Sequence, residues 1–372
     1  MRKAKLHEIV TCILFCGFIG IMGLCYLVLP KQDFSQLEKR QLEAFPQLTW
    51  ETLTSGQFGA DLETYMADHM PGRNLFVGVG AYYDLLTGQQ PAKDIYLAEG
   101  NRLVEVPVVW DGDQVEKNTK YIQNFANKLE ITVDFILVPS AGFILEDSIQ
   151  YLHDDYRDDV MIGEIYALLG DNIRTYDMVQ LYQEAENKQD LYYRTDHHWT
   201  SYGAYLAYQG YMQFLGREYV RQDYFTVQTH SGFRGSTYSR SALWLTPGEE
   251  IALWYGSDLQ VETDKGTQDS PFYLDRLQET DMYTVFLDGN QPLVRIHNQA
   301  NAGKGKILVV RDSYANCLGA FLAESYEEVV MVDLRYYKMS LSNLVAEEGF
   351  DNVLILYSMS NFMTDSNFPY LR

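Results

Sequence analysis

Basic residues are scarce in this chain of 372 residues. It has 29 Lys and Arg against 51 Asp and Glu, which gives a formal net charge of −22 and a pI of about 4.6. Such a surface repels nucleic acid and anionic lipid, because no basic patch offsets the phosphate charge. We therefore expect no nucleic-acid partner. The 47% of hydrophobic residues are enough for a large core.

Cysteine is also scarce, and its placement is uneven. Three of the four cysteines lie between residues 9 and 30, and only Cys317 lies in the remainder of the chain. The body of the protein therefore cannot form an internal disulfide. Disulfides are common but not obligatory outside the cell. An acidic, cysteine-poor body is typical of proteins that single-membrane bacteria display on their surface.

A long uncharged run stands at the N-terminus. Residues 9–30 carry no charge over 22 positions, which is enough for a helix to span a bilayer. Basic residues precede the run, so we expect a cytoplasmic N-terminus and an extracytoplasmic body held at the cell membrane by a single span. No small-residue cleavage site follows, which favours an uncleaved anchor over a removed signal peptide. The large Leu24 before Cys25 argues against lipoprotein cleavage.

The rest of the chain alternates between helical and strand patterns. We predict a linker and helical region over 31–90, and an α/β domain over 91–372 that contains a β-rich insertion at about 220–300. A short hairpin is predicted around residues 91–105. Buried strand-like runs, separated by helical periodicity, predict a parallel sheet with helices on both faces. These runs lie at 131–140, 306–310, 329–335 and 352–362.

The sequence RDSYA places Ser313 where a predicted strand ends and a helix begins. In open α/β sheets, ligands bind at the carboxyl ends of the strands. A hydroxyl there is exposed, and the free N–H groups of the helix can stabilise a developing oxyanion. Ser313 is therefore a candidate nucleophile, although serine also begins helices simply as a cap.

The sequence TDHHWT at 195–200 supplies a candidate base. Asp196 and His198 are two residues apart, so in an extended segment their side chains point the same way. The carboxylate could then orient the imidazole, as the base of a serine nucleophile requires. A helical pattern follows, with Thr200 or Ser201 as its predicted cap. Taken alone, such a pair also occurs at surfaces and helix starts.

TDHHWT, RDSYA and the following DLRYY resemble the DHHW proteins, which are similar to the alginate O-acetyltransferase group with its SGNH-hydrolase-like fold. The resemblance covers nearly the whole chain. It includes the N-terminal apolar run, the FSQLEKRQLEAFP segment, GFRGSTYSRSA at 232–242 and NVLILYSMSNF. It implies a three-layer fold in which a sheet lies between helices.

The resemblance implies a catalytic triad of Ser313 as nucleophile, His198 as base and Asp196 as orienting acid. In the related group the acid and the histidine precede the serine, as they do here. The related acetyltransferases have another polar residue between the acid and the base, where this chain has His197. His197 is therefore an alternative base, and the Asp-x-His spacing favours His198.

Three further residues are candidate contacts for the oxyanion or the substrate. SGNH enzymes surround the oxyanion with N–H donors from glycine and asparagine, and Gly235 and Asn361 are the candidates by position in the chain. Arg335 lies at the carboxyl end of the next predicted strand and is a candidate substrate contact. Arg and Asn at strand ends are also often loop anchors.

A metal site is the main chemical rival. Asp-His-His occurs in two-metal phosphoesterases, but these also use other aspartate clusters and a second histidine motif. The five other histidines here are scattered: His7, His69, His153, His230 and His297. We therefore predict no metal and no cofactor, while zinc held by His197, His198 and a distant carboxylate stays open.

The predicted function is O-acetylation of an exported polysaccharide or cell-wall polymer at the outer face of the membrane. A membrane-bound O-acyltransferase is the expected acetyl donor. Two alternatives remain: an esterase that removes acetyl groups, and an anchored glycan-binding protein without catalysis. The esterase would share the acyl-serine chemistry and differ only in that water attacks the acyl group.

Overall fold

The computed structural model describes residues 6–91 and 93–372. Within these residues the chain forms two compact units. One extends to Gly88 and includes Ala242–Trp244, and the other comprises Gln89–Ser241 and Leu245–Arg372. All of the candidate site residues belong to the second unit.

The first unit begins with the helix α1, Leu6–Val28. Its segment His7–Val28 is long and apolar enough to cross a membrane, and none of its most apolar stretch is buried within the protein. The predicted orientation rests on Arg2, Lys3 and Lys5, which lie outside the described residues. The structure therefore supports a membrane anchor or a signal sequence by length and composition.

Short helices follow where the sequence shows only weak periodicity. A short hairpin precedes them, and each of its strands has two residues: β1, Phe34–Ser35, and β2, Arg40–Gln41. The helices are α2, Trp50–Thr54, α3, Gln57–Asp68, and α4, Arg73–Leu86.

Asp68, at the end of α3, connects β2 to the start of α4 through two arginines. It pairs with Arg40 at 2.5 Å and lies 3.6 Å from Arg73.

An eight-stranded mixed sheet forms the centre of the second unit. Its strand order is β10-β9-β11-β13-β12-β14-β5-β6. In chain order the strands are β5, Val133–Val138; β6, Ile173–Thr175; β9, Gln260–Thr263; β10, Gly266–Gln268; β11, Leu293–His297; β12, Lys306–Arg311; β13, Glu328–Val332; and β14, Asn352–Ser358.

The strands from β13 to β6 in that order run parallel, as the buried runs predict. The strands β11, β9 and β10 extend the sheet in antiparallel pairing. The strand predicted over 352–362 is shorter than expected, because Ser358 ends it. The Ser358 hydroxyl accepts a hydrogen bond from the Asn361 N–H at 3.3 Å and so starts a helix.

Helices cover both faces of the sheet, as predicted. Alternate strand residues face two separate cores: Val309 and Met331 lie in one, and Leu308 and Val330 in the other. The helices are α5, Gly112–Ala126; α6, Ala141–Ile144; α7, Asp158–Ala167; α8, Met178–Gln183; α9, Ser201–Phe214; α10, Ser236–Ser241; α11, Ala315–Ala323; α12, Leu341–Glu348; and α13, Met359–Thr364.

Two hairpins lie outside the main sheet. The predicted hairpin near residue 100 is confirmed as β3, Ile95–Ala98, paired with β4, Arg102–Glu105. The strands β7, Thr226–Phe233, and β8, Glu249–Tyr255, form the second. The region 220–300 therefore contributes this separate hairpin and the three antiparallel strands of the main sheet.

Candidate active site

Ser313 lies in the tight turn between β12 and α11, at the carboxyl edge of the sheet. The preceding Asp312 fixes this turn. Its carboxylate accepts hydrogen bonds from the Tyr314 N–H at 2.9 Å, and from the N–H and hydroxyl of Ser358 at 2.8 Å each. The ends of the neighbouring strands β12 and β14 are thereby joined, and Ser313 is left partly exposed between them.

The TDHHWT segment is a loop anchored at both ends. Thr195 donates hydrogen bonds from its N–H and its hydroxyl to Glu249 on β8, both at 2.6 Å. Tyr192 and Trp199 pair as an antiparallel bridge, which closes the loop. Thr200 caps α9, so one of the two predicted caps is confirmed.

The structure brings the three predicted side chains into one hydrogen-bonded line. His198 Nε2 lies 2.8 Å from Ser313 Oγ, and His198 Nδ1 lies 2.5 Å from Asp196 Oδ1. Asp196 is 3% exposed and His198 is 6% exposed. A proton on Nδ1 would be held by the carboxylate, which leaves the Nε2 lone pair directed at the serine hydroxyl.

The tryptophan of the motif links the histidine loop to the serine turn. Trp199 is fully buried, and its indole N–H donates to the Tyr314 carbonyl at 2.9 Å. In return, the Tyr314 hydroxyl donates to the carbonyl of His197. Because Tyr314 directly follows Ser313, these two bonds fix the distance between base and hydroxyl.

Asp196 is held by groups that favour its charged form. Its second oxygen accepts the Ser236 N–H at 2.6 Å. Burial by itself raises the pKa of Asp196, but the charges and hydrogen bonds of His198 and His197 hold that pKa well below its ordinary value. Asp196 therefore stays ionised across the neutral range, as an orienting acid requires.

The His198 ring is held between two other rings. Tyr283 stacks on it with a centroid distance of 3.8 Å and an interplanar angle of 11°. His197 also packs on it, at 3.9 Å and 36°. Rotation of the imidazole would break these contacts, so the ring is restricted to the plane that joins Asp196 to Ser313.

His197, the alternative base, is not the histidine that the structure places at Ser313. Its Nδ1 lies 2.6 Å from Ser236 Oγ and 3.6 Å from Asp196 Oδ1. Burial, followed by the neighbouring charge of His198, lowers the pKa of His197. Its ring is therefore neutral at neutral pH, and its side chain is 26% exposed.

Gly235 is at the site but not as the predicted oxyanion donor. Its N–H donates to Thr195 Oγ1 at 3.3 Å. A Cβ at this position would lie 2.0 Å from Asp196 Oδ2, so the absence of a side chain lets the backbone approach the acid closely. The prediction for Gly235 is therefore corrected: its role is to make room for Asp196.

Asn361 and Arg335 lie near Asp312: Asn361 is on α13, and Arg335 is in the segment that follows β13. The Asn361 amide donates to Asp312 at 2.8 Å. Arg335 pairs with Asp333, with Nη2 at 2.7 Å from a carboxylate oxygen. Asp312, Arg335 and Asn361 line a small polar cavity of about 210 Å³. Both predicted residues therefore reach the edge of the sheet that carries Ser313.

A larger cavity of about 400 Å³ adjoins the histidine loop. Asp196, His197 and Tyr314 form part of its wall. Seven further polar residues line the cavity, and the remaining wall is aliphatic. The polar residues are Glu105, Asp111, Ser140, Thr237, Ser358, Ser360 and Thr364. A substrate in this cavity would contact His197 directly.

The structure also offers a group of potential metal ligands. Ligand atoms of Asp196, His197 and His198 all lie within 4.8 Å of one another. Two of these residues already bond each other, and His198 also contacts Ser313. A cation would have to displace those contacts, so binding a metal and orienting the serine are competing uses of the same atoms.

The cysteine nearest to the site is not a rival nucleophile. Burial raises the pKa of Cys317 to about 12, and its thiol contacts the Ser201 hydroxyl at 3.5 Å. Its thiolate, the reactive form, is therefore scarce at neutral pH.

Four supporting residues were missed from the sequence: Ser236, Glu249, Tyr283 and Asp312. Asp312 stands beside the predicted serine and Ser236 lies within GFRGSTYSRSA, so both had a signal in the neighbouring motif. Glu249 and Tyr283 lie far along the chain from TDHHWT, and nothing in their local sequence distinguishes them from ordinary surface or core residues.

The family follows from a match of residues 122–332 to the DHHW protein family. The chain belongs to this family. The match covers more than half of the chain and includes the TDHHWT loop and Ser313. No curated protein sequence matches the chain.

Solved structures of two other proteins share the fold. A DHHW family protein from Eubacterium siraeum is 21% identical with a TM-score of 0.65, over 76% of this chain and 96% of that one. Bacillus cereus PatB1 is 22% identical with a TM-score of 0.60, over 74% and 98%. PatB1 with a sulfonyl adduct gives 20% identity and 0.61, over 75% and 98%.

Proposed function

We propose that this DHHW protein is a serine-dependent O-acyltransferase that acetylates an exported polysaccharide or cell-wall polymer. The observation that carries the proposal is the continuous line from Asp196 through His198 to Ser313, with contacts of 2.5 and 2.8 Å. A buried carboxylate, an oriented imidazole and a partly exposed hydroxyl are the parts that acyl transfer through serine requires.

In the first half-reaction, Ser313 attacks the carbonyl carbon of the acyl donor. Its proton moves to His198 Nε2 as the new C–O bond forms, and His198 then protonates the leaving group of the donor. Asp196 stabilises the imidazolium and does not itself take the proton. The result is an acyl-serine and the released donor group.

The developing negative charge on the carbonyl oxygen needs hydrogen-bond donors. We assign this role to N–H groups at the start of α11 and to the Asn361 amide. The amide nitrogen carries two protons, of which one goes to Asp312, so the other can face the substrate. Donors fixed in advance are most effective where they stabilise developing charge.

In the second half-reaction an acceptor hydroxyl attacks the acyl-serine. A sugar hydroxyl gives an acetylated glycan, whereas water gives acetate and makes the protein an esterase. The cavity of about 400 Å³ beside the histidine loop has room for a sugar ring, which favours transfer.

The proposal also covers the fold of the second unit and the location of the protein in the cell. We propose that the second unit is SGNH-hydrolase-like, and that α1 is an uncleaved anchor which keeps the body at the outer face of the membrane. A membrane-bound O-acyltransferase would supply the acetyl group there. The length and apolar character of α1 support the anchor.

An assay on the full chain in detergent tests the function. The protein is incubated with an aryl acetate as donor, with and without an oligosaccharide acceptor, and both acetate and acetylated sugar are measured. Acetylated sugar that depends on Ser313 supports the transferase. Acetate alone supports the esterase.

The non-catalytic alternative has its own outcome in this assay. If wild-type protein and the variant Ser313→Ala release acetate at the same background rate, the chain does not use this serine. Binding of the oligosaccharide in the absence of turnover would then identify a glycan-binding protein.

A further inference from the structure

The proposed triad gives no task to the second histidine of the motif. His197 nevertheless lies in the wall of the larger cavity, and its side chain is 26% exposed. Its Nδ1 faces Ser236 Oγ at 2.6 Å. A polar group that is fixed on one side and open to a cavity on the other is suited to bind a ligand.

The two histidines face the same way. Nδ1 of His198 lies 2.5 Å from Asp196 Oδ1, and Nδ1 of His197 lies 3.6 Å from the same oxygen. The two rings also pack on each other, with centroids 3.9 Å apart and an angle of 36°. Nδ1 of His198 bonds the carboxylate and Nδ1 of His197 bonds Ser236, which itself bonds Asp196. Each Nδ1 therefore lies on the side of Asp196 and Ser236, and each Nε2 is directed away from that pair.

The charge on Asp196 decides which nitrogen of His197 carries the proton. A proton on Nδ1 lies near the carboxylate and can be donated to Ser236 Oγ, so this tautomer is the favoured one. His197 Nε2 then carries a lone pair on the part of the ring that Ser236 does not hold, and this ring forms part of the cavity wall. Both imidazoles therefore offer hydrogen-bond acceptors, side by side.

We propose that His197 and His198 together recognise a vicinal diol in the acceptor. The hydroxyl that reacts donates its proton to His198 Nε2, and the adjacent hydroxyl donates a hydrogen bond to His197 Nε2. His197 is thus a specificity-determining residue for acceptors that carry neighbouring hydroxyls, such as sugars. This inference rests on the proposed function.

The chemical step balances with these roles. The acceptor oxygen forms a bond to the acyl carbon as its proton moves to His198 Nε2. The bond between that carbon and Ser313 Oγ then breaks, and His198 returns the proton to Ser313. His197 exchanges no proton, and holds the adjacent hydroxyl so that the reacting oxygen faces the acyl carbon.

Two simple alcohols isolate this contact. The full chain in detergent is given an aryl acetate and either cis-1,2-cyclohexanediol or cyclohexanol, and the acetylated products are measured by mass spectrometry. The diol has two equivalent hydroxyls, so it reacts twice as fast by numbers alone. One additional hydrogen bond is expected to favour the diol by roughly 3- to 10-fold beyond that factor.

Variants of His197 test whether this residue causes the preference for the diol. His197→Phe keeps a planar ring but has no acceptor, and should reduce the diol preference to about the twofold statistical value. His197→Gln retains an acceptor oxygen and should keep part of the preference. His297→Gln is the matched control, because His297 is also partly exposed but lies at the opposite edge of the sheet.

The preference ratio separates recognition from structural damage. A purely structural role of His197 would lower transfer to both alcohols in the same proportion and leave their ratio unchanged. The inference is overturned if wild-type protein shows no preference beyond the statistical factor, or if His197→Phe retains it. Should His197→Phe not fold, the wild-type ratio and His197→Gln still decide. Absence of any Ser313-dependent turnover would instead refute the proposed function.

Discussion

The two edges of the main sheet each carry a histidine beside a carboxylate, and their surroundings differ. At the amino edge, His297 lies 3.9 Å from Glu328. Glu328 also pairs with Arg295 at 3.0 Å and with Lys306 at 2.7 Å. At the carboxyl edge, His198 lies 2.5 Å from Asp196, and its other nitrogen meets a serine hydroxyl.

The difference shows what makes such a pair useful for catalysis. At the amino edge the carboxylate is shared among cations, and the His297 side chain is 35% exposed. At the carboxyl edge, burial, ring packing and a neighbouring hydroxyl commit the histidine to one orientation. Activity should therefore depend on one edge and not on the other.

The largest effect is expected at Ser313, the proposed nucleophile. Ser313→Ala removes the oxygen that forms the acyl intermediate and should lower ester turnover by about 10⁴-fold or more. Turnover of an aryl acetate by the full chain measures it. His297→Gln at the amino edge should stay within about twofold of the wild-type rate. Equal losses in both variants would contradict the comparison.

The second largest effect is expected at Asp196, the proposed orienting acid. Asp196→Asn keeps the size of the side chain but cannot hold the same imidazole tautomer, so we expect kcat to fall by about 10³- to 10⁴-fold. Glu328→Gln makes the same chemical change at the amino edge, where we expect little change in kcat. If the two variants have similar kcat values, Asp196 does not orient a catalytic base.

A smaller loss is expected at the oxyanion. Asn361→Ala removes one proposed donor and should lower kcat by about 10²- to 10³-fold, with a smaller change in KM. The exposed Asn343 on α12 is the control, and Asn343→Ala should behave as wild type. An effect on KM alone would show that Asn361 binds the ground state rather than stabilising developing charge.

A side chain at position 235 should lower the stability of the fold, because it would crowd Asp196. In Gly235→Ala the new Cβ would meet Asp196 at 2.0 Å, so the backbone or the acid must move. We expect a loss of about 1–3 kcal/mol in the free energy of unfolding, measured by denaturant titration. Gly163 lies in α7 with open space around it, so Gly163→Ala should be neutral or slightly stabilising. A stable, fully active Gly235→Ala would contradict the close packing.

The smallest expected effect is on the pH dependence of folding stability, through His197. His197 faces Asp196 and His198 on its own loop, Glu105 on β4 and Asp312 at the end of β12. Because its pKa is lowered on folding, the unfolded chain binds the proton more readily, and stability should fall as the pH drops below about 6.5. His197→Gln should flatten this part of the stability profile. An unchanged slope in the variant would show that other groups cause the acid sensitivity.

Much of this architecture could be predicted from local sequence. The buried apolar runs identify the strands β5, β12, β13 and β14, since fully buried parallel strands are apolar on both faces. The alternation of strand and helix after residue 300 then places Ser313 at a strand end. The spacing of Asp196 and His198 identifies a possible pair, and chemistry suggests that pair as the partner of the serine.

What local sequence could not provide were contacts between distant segments. Glu249 anchors Thr195, and Tyr283 stacks on His198, but neither residue has a motif of its own. Gly235 was expected to donate an N–H, whereas its function is to leave space, which only the position of Asp196 reveals. The spacing from Asp196 already favours His198 over His197, and the tertiary structure adds the contact of His198 with Ser313.

The central claim is that Ser313 receives the acyl group. The most direct measurement is mass spectrometry of the full chain after brief mixing with an aryl acetate, followed by acid quench and peptide mapping. The account predicts one acetyl group on the peptide that contains Ser313, and none in Ser313→Ala. Ester turnover with the acetyl group on another residue, or turnover that persists in Ser313→Ala, would contradict it.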